Sequence, residues 1–396
     1  MTHAVEPAHR TLGPVADGHP RNEGAVRASA RVEPDTLIGW LRSMMLIREF
    51  EVRCAQAYQQ AKIGGFCHLY IGQEAAAVGT LNAVNPDDPV VLAYRDHGHA
   101  LARGMDPGAC MAEMYGKATG CAKGKGGSMH MFDRPHWLFG GHGIVGAQTP
   151  LGAGLAFAAR YEWEVLGRSL ENPGVPAGSP PRRKVCLCYL GDGALNQGAL
   201  HEAMNLAGLY SLPVIYIVEN NGYSMGTSID RGTTMAHDLM AKANAYGIEG
   251  RAIDGFDILA LYDEFKPLVD LCRQKQVPAF VDLKTYRYQG HSMSDPQKYR
   301  TKDEVEAWKA KDSIDRFAHH LMSERTGSDG RPVLSEQRFS EIQDDVRTRV
   351  RAAVEFAEAS PVPDLSELYA DVMVNPHPGM SPSGTYVTGA PNPLLR

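Results

Sequence analysis

The sequence is defined first by what it lacks. No stretch approaches the roughly 20 consecutive apolar residues that a membrane helix needs, so a spanning segment is not expected. There is no excess of basic residues: the formal net charge is −6, which leaves no electrostatic footprint for nucleic acid. The seven cysteines, at 54, 67, 110, 121, 186, 188 and 272, form no C-x-x-C pair. That spacing excludes a zinc ribbon and a dithiol redox motif, and predicts reduced structural thiols in a cytoplasmic protein. No strand-to-helix turn carries G-x-G-x-x-G with an acidic residue about 20 positions on, which excludes the nicotinamide fingerprint. The glycine- and lysine-rich run from Gly116 to Met131 fails the P-loop pattern, because Gly126 follows Lys125 and Ser128 comes too late. It is expected to be either a mobile basic loop near an anion or a solvated surface loop. Residues 1–33 have no apolar signal core and carry Glu6, Asp17, Glu23 and Glu33, so neither a secretory signal nor an organelle transit peptide is expected there.

What is present is centred on Val185 to Ser228. The apolar runs Val185–Leu190 and Pro213–Glu219 read as strands buried on both faces of a parallel sheet. Between them Leu200, Ala203, Leu206, Ala207 and Tyr210 recur at helical spacing. A right-handed βαβ unit makes those strands parallel, so Asp192 in Gly191-Asp192-Gly193 and Asn221 in Asn220-Asn221 emerge at carboxyl ends, where open α/β sheets bind ligands. One carboxylate, one amide oxygen and a nearby backbone carbonyl, that of Tyr223, make an oxygen-only set suited to Mg²⁺. Gly193 to Asn196 is expected to open the helix, so the amides of Gly193 and Ala194 would face phosphate oxygens. Either dipeptide alone would be an ordinary turn. Together, separated by residues 194 to 219, 26 in all, they match the thiamine diphosphate motif.

With that motif stand FCHLYIGQEA, YRDHGH, GKGGSMHMF, GGHGIVGAQTPLGAG and TYRYQGHSMSDP, and on these stretches residues 37–357 resemble the alpha subunits of the pyruvate dehydrogenase decarboxylating component. The resemblance implies a doubly wound, mostly parallel α/β fold holding the diphosphate half of thiamine diphosphate with Mg²⁺. It implies that Tyr94 and Arg95 grip the diphosphate, that the backbone at Gly143 and Val145 holds the aminopyrimidine end, and that His68 lies near a 2-oxo acid. His291 is implied beside the diphosphate, serving with His68 in catalysis, while Asp192, Asn221 and Tyr223 hold the metal. The implied reaction is oxidative decarboxylation of a 2-oxo acid, pyruvate before acetoin or a branched-chain acid, with transfer of the acyl group to a lipoyl group on a dihydrolipoyl acyltransferase. The implied assembly is a heterotetramer of two alpha and two beta chains. Gln289 departs from the family, which often has a basic residue there, and residues 167–184 interrupt its pattern.

The remaining elements follow from periodicity and punctuation. A helix capped by Asp35 is expected over 36–63, ended by Gly64-Gly65; a strand over 90–93; a helix over 150–166; a helix from Asp257 to Lys275 kinked or interrupted at Pro267; and a strand over 279–285. Two charged amphipathic helices are expected over 301–325 and 334–359. His97 and His99 are two apart, but no Cys/His cluster completes a zinc set. The domain expectation is an unstructured arm over 1–33, one cofactor-binding domain over 34–375 and a Pro/Gly-rich tail over 376–396.

Overall fold

The computed structural model describes residues 27–167, 182–368 and 370–371. Most of the 1–33 arm, most of the 167–184 interruption and the whole 376–396 tail therefore lie outside the described residues. The strands are β1 (Val90–Ala93), β2 (Leu138–His142), β3 (Cys186–Gly191), β4 (Val214–Asn220), the short β5 (Tyr223–Ser224) and β6 (Thr227–Ser228), β7 (Glu249–Asp254) and β8 (Ala279–Lys284). Six of them form one parallel sheet in the order β2-β1-β3-β4-β8-β7, and β5 and β6 make a separate hairpin.

Side-chain alternation along these strands divides the interior in two. Val90, Leu92, Leu187, Tyr189, Ile215, Ile217, Val281 and Leu283 enter one core, while Val91, Cys186, Cys188, Leu190, Val214, Tyr216, Val218 and Phe280 enter the other. This is why β3 and β4 are unbroken apolar runs: both faces are covered. The larger core is roofed by α1 (Pro34–Gln59), α2 (Glu74–Asn82), α3 (His97–Ala102), α4 (Pro107–Met114) and, later in the chain, α9 (Ile258–Lys275). The smaller one lies under α5 (Gln148–Tyr161), α6 (Gly198–Leu209) and α8 (Met240–Asn244), with the one-turn α7 (Ile229–Gly232) at its edge. Last come α10 (Lys302–Lys309), α11 (Ser313–Ser323) and α12 (Glu336–Ala359), the last of these packed along α1 and α4.

Several boundaries differ from the sequence expectation, each for a local reason. Asp35 does not cap α1. Pro34 occupies the first helical position, Glu33 precedes it without a side-chain cap, and Asp35 sits in the first turn, where its charge favours the helix dipole. The helix also stops at Gln59, before the glycine pair, as Ala61 turns left-handed at φ 56°. The helix expected over 301–325 is two helices, because Asp312 accepts from the amides of Ile314 and Asp315 and starts α11 afresh. The helix expected over 150–166 begins at Gln148 and ends in a π-turn over Glu162–Leu166, closed by Gly167 at φ 60°. Pro267 does not interrupt α9, which is capped by Asp257 as expected and runs through it. The segment 27–33 is not loose: Ala28–Arg31 forms a 3-10 turn whose Ser29 amide and hydroxyl both donate to Asp263.

Candidate active site

The carboxyl ends of β1, β3, β4 and β8 meet at one edge of the sheet, and the chain that leaves each of them carries a candidate residue. Pairing of Gly191 with Glu219, and of Asn220 with Lys284, aligns the ends of β3, β4 and β8. The turn after β3 departs from expectation. Asp192–Asn196 is a separate 3-10 turn, and α6 starts only at Gly198 after an extended Gln197. The amide of Gly193 is not free for phosphate, since it donates to Asp192 Oδ1 at 3.1 Å. Ala194 is buried in the same turn. A Cβ on Gly193 would approach Ser224 Oγ to 2.6 Å, so the turn lies close against β5, next to Tyr223.

Asp192 is 4% exposed, and its Oδ2 has no hydrogen-bond partner among the described residues. Burial pushes its carboxyl up to about 6, against the pull of Arg287. A buried carboxylate oxygen left without a donor fits a metal ligand. Asn221 is oriented by its neighbours: Nδ2 donates to Gln73 Oε1 at 3.3 Å, so Oδ1 faces Arg287 Nη1 and the Tyr223 amide, each at 3.3 Å. The Tyr223 hydroxyl is engaged elsewhere, by Glu304. An Asp–Asn–carbonyl set contains a single carboxylate. Among the described residues no group of three His, Cys, Asp or Glu is positioned for a metal.

Two arginines supply the positive floor. Arg95 is buried and donates Nη1 to the Leu69 carbonyl at 2.6 Å and Nη2 to the His291 carbonyl at 2.8 Å. Burial, then repulsion from Arg287, draws it down to about 10. Arg287 is 2% exposed and donates to Asn221 Oδ1, Tyr299 Oη and the Gln289 carbonyl. Neither guanidinium has a carboxylate among these hydrogen-bond partners, so the pair can turn its positive charge to an anion. Arg287 was not singled out in the sequence. Its signal was available, because it leaves β8 just as Arg95 leaves β1.

Above the arginines the rings of His68, Tyr94 and His291 cluster, with centroids 4.6 Å apart for His68–Tyr94, 5.2 Å for His68–His291 and 5.8 Å for Tyr94–His291. Desolvation, followed by Arg95, holds His68 down at about 2 and His291 at about 4, so both imidazoles are neutral at pH 7. The structure thus brings together His68, Tyr94, Arg95, Asp192, Asn221 and His291, which are scattered over more than 220 residues of sequence. Gly143 and Val145 lie just beyond β2 on an exposed turn, and Gly146 rests on Gln197 beside the Asp192 turn.

The 116–131 run is not an open anion nest. The carboxylate of buried Glu113 fills it, accepting from the amides of Ala122 and Gly124 at 2.8 Å each, Gly126 at 2.7 Å and Gly127 at 3.0 Å. Lys123 and Lys125 turn outward to Glu367 and Asp371. His97 and His99 are both buried, beside Glu51 and Glu219 respectively, as internal polar groups with no metal geometry. All seven cysteines are unpaired, and no helix among the described residues is long and apolar enough to cross a membrane.

Comparison with known proteins bears on this geometry. The dehydrogenase E1 component family matches residues 42–366. The pyruvate dehydrogenase E1 component subunit alpha of Rickettsia bellii (strain RML369-C) is 45% identical over 333 residues, covering 84% of this chain and 94% of that one. The protein of the same name from Rhizobium meliloti (strain 1021) is 45% identical over 334 residues, covering 84% and 88%. The chloroplastic pyruvate dehydrogenase E1 component subunit alpha-3 of Oryza sativa subsp. japonica is 38% identical over 374 residues, covering 94% and 84%.

Proposed function

The chain belongs to the dehydrogenase E1 component family, and from that membership we propose that it is the alpha subunit of a pyruvate dehydrogenase, acting with a beta chain on pyruvate in the presence of thiamine diphosphate and Mg²⁺. The observation that carries the reading is the pairing of a buried carboxylate oxygen without a donor, Asp192 Oδ2, with two guanidinium groups that lack carboxylate partners. That combination suits a cation and a polyanion bound together.

In this reading Asp192 Oδ2, Asn221 Oδ1 and the Tyr223 carbonyl hold Mg²⁺, and Arg95, Arg287 and Tyr94 take the diphosphate. Gly193 and Ala194 line the turn beside it, while the backbone at Gly143 and Val145 faces the aminopyrimidine end. When bound, the cofactor's thiazolium supplies the carbon nucleophile for the ketone and the sink for the electron pair left as CO₂ departs. His68 and His291, neutral at pH 7, can donate a hydrogen bond from one ring nitrogen and accept a proton at the other. Arg95 is the second cause of depression in both rings, so an anion that neutralises it raises their basicity. The two histidines therefore become more competent as bases once the diphosphate is in place. The fragment left after decarboxylation would then pass to a lipoyl group on a dihydrolipoyl acyltransferase, the lipoyl disulfide being reduced to one thiol and one thioester as the fragment is oxidised to the acyl level, with His68 and His291 beside the reacting fragment to hold or move protons. Residues 34–375 act as one cofactor-binding unit, within two alpha and two beta chains in the cytoplasm.

Calorimetric titration of the purified chain with its beta partner tests this. Thiamine diphosphate is expected to bind only with Mg²⁺ present, and the assembly to decarboxylate pyruvate in preference to acetoin or branched 2-oxo acids. No Mg²⁺-dependent binding would overturn the reading.

A further inference from the structure

Behind His68 runs a line of buried polar groups that the steps above do not use. The backbone around His68 is held at three consecutive residues: the Cys67 carbonyl accepts from the Met293 amide at 2.9 Å, the His68 amide donates to Ser128 Oγ at 3.1 Å, and the Leu69 carbonyl takes Arg95. The ring is held less firmly, for His68 Nδ1 is buried without a hydrogen-bond partner among the described residues. Its direction is therefore set by the backbone and by packing on Tyr94.

Ser128 is itself held from behind. His97 Nε2 lies 2.9 Å from both the carbonyl and the hydroxyl oxygen of Ser128, and His97 Nδ1 lies 3.0 Å from Glu51 Oε1. His97 and Glu51 are wholly inaccessible, one opening α3 and the other on the inner side of α1. A carboxylate and a carbonyl can only accept, so both ring nitrogens of His97 carry hydrogen when both contacts are made. Glu51, with Asp96, favours that imidazolium and raises His97 above its usual value despite burial. Glu113 in turn fixes the amides of four loop positions before Ser128.

We propose that Glu51, His97 and Ser128 are positioning residues that aim the His68 imidazole at Tyr94 and His291, so that His68's part in the reaction depends on them. This rests on the role given to His68 under Proposed function. A buried ion pair that merely joined α1 to α3 would need no contact with the serine that anchors His68; here the pair ends on that serine.

The test uses the assembled alpha–beta protein with Ser128→Ala, Glu51→Gln, His68→Ala and the double variant Ser128→Ala/His68→Ala. Exchange of the histidine C2 hydrogen, read by mass spectrometry, follows His68 individually and independently of turnover. In Ser128→Ala the His68 exchange rate is expected to rise about threefold or more and kcat to fall about tenfold, with thiamine diphosphate affinity within about threefold of the parent. In the His68→Ala background the serine change is expected to lower kcat by less than about twofold, since groups acting through one residue are not additive. Glu51→Gln should follow the same pattern, and if it fails to fold, Ser128→Ala decides alone. Unchanged His68 exchange in Ser128→Ala would overturn the proposal, as would a serine effect that persists in full without His68. If the parent assembly binds no thiamine diphosphate, the cofactor reading falls, while the exchange arm still decides whether the chain of residues holds His68.

Discussion

Asp192 shows how a single residue can be costly to the fold and useful to the site. One carboxylate oxygen is bound by the adjacent Gly193 amide, the other by nothing among the described residues, at a position where burial works against the charge. Asp192→Asn is therefore expected to stabilise the cofactor-free protein by about 1–2 kcal/mol, visible as a higher melting temperature. The same change should abolish the further stabilisation that Mg²⁺ and thiamine diphosphate give the parent. A melting curve that still rises with both ligands would refute the assignment of Asp192 to the metal. His97 is the opposite case, because its charge is compensated. Its folded-state pKa is raised, so the stability it contributes is complete below about 6.5 and is lost as pH rises through the raised value. Glu51→Gln should thus cost on the order of 3 kcal/mol at pH 6 and clearly less at pH 9. Urea unfolding at the two pH values measures this, and an equal cost at both would contradict an imidazolium at His97.

At the scale of elements, the 116–131 loop gains its shape from an acid and not from its lysines. Glu113, in the last turn of α4, accepts from four loop amides, and the glycines allow the backbone to close round it. Gly124 has φ +74°, and a Cβ there would lie 2.6 Å from the Gly116 carbonyl carbon. Gly124→Ala is expected to lose about 2 kcal/mol or more, from left-handed strain together with backbone overlap. Amide hydrogen exchange over 117–128 should rise sharply, while the distant α9 stays protected. Uniform protection in both regions would show that the nest tolerates the side chain. Because Ser128 ends this loop, the same variant should also loosen the contact to His68.

For the whole molecule, the decisive feature is a single sheet. All six of its strands are parallel, and among the described residues it offers one carboxyl edge, where the site proposed for the diphosphate lies. The glutamates around that edge are occupied: Glu51 by His97, Glu74 by Arg48 and the Gly72 amide, Glu113 by the glycine loop, and Glu219 by the Tyr70 hydroxyl. Each of these four already has an internal partner, Glu51 through one oxygen only and at a wholly buried position, so the activating glutamate is expected from a beta chain. The purified alpha chain should show no decarboxylation of pyruvate, and adding the beta chain should restore it. Robust turnover by the isolated chain would show that this chain supplies that group itself.

The sequence alone determined the parts whose signal is local. β1, β3, β4, α9 and β8 were legible because strands buried on both faces must be apolar along their whole length, and because Asp257 and the glycines mark the ends. Asp192 and Asn221 were legible for the same reason, since a polar residue directly after such a strand must emerge at the sheet edge. β7 was not legible: Glu249–Asp254 is an edge strand with Glu249 exposed and Arg251 half-buried, so it carries no apolar run. Arg287 and Glu113 were missed because their importance lies in partners far along the chain or in backbone amides, and neither leaves a pattern in residue type. The cluster of His68, Tyr94 and His291 likewise exists only once β1 and β8 deliver their loops to one edge. Local sequence chose which residues leave each strand. Only the tertiary structure decided which of them share a largely buried cluster, because desolvation, charge pairing and the orphaning of a carboxylate oxygen are properties of the packed surroundings and not of the residues themselves.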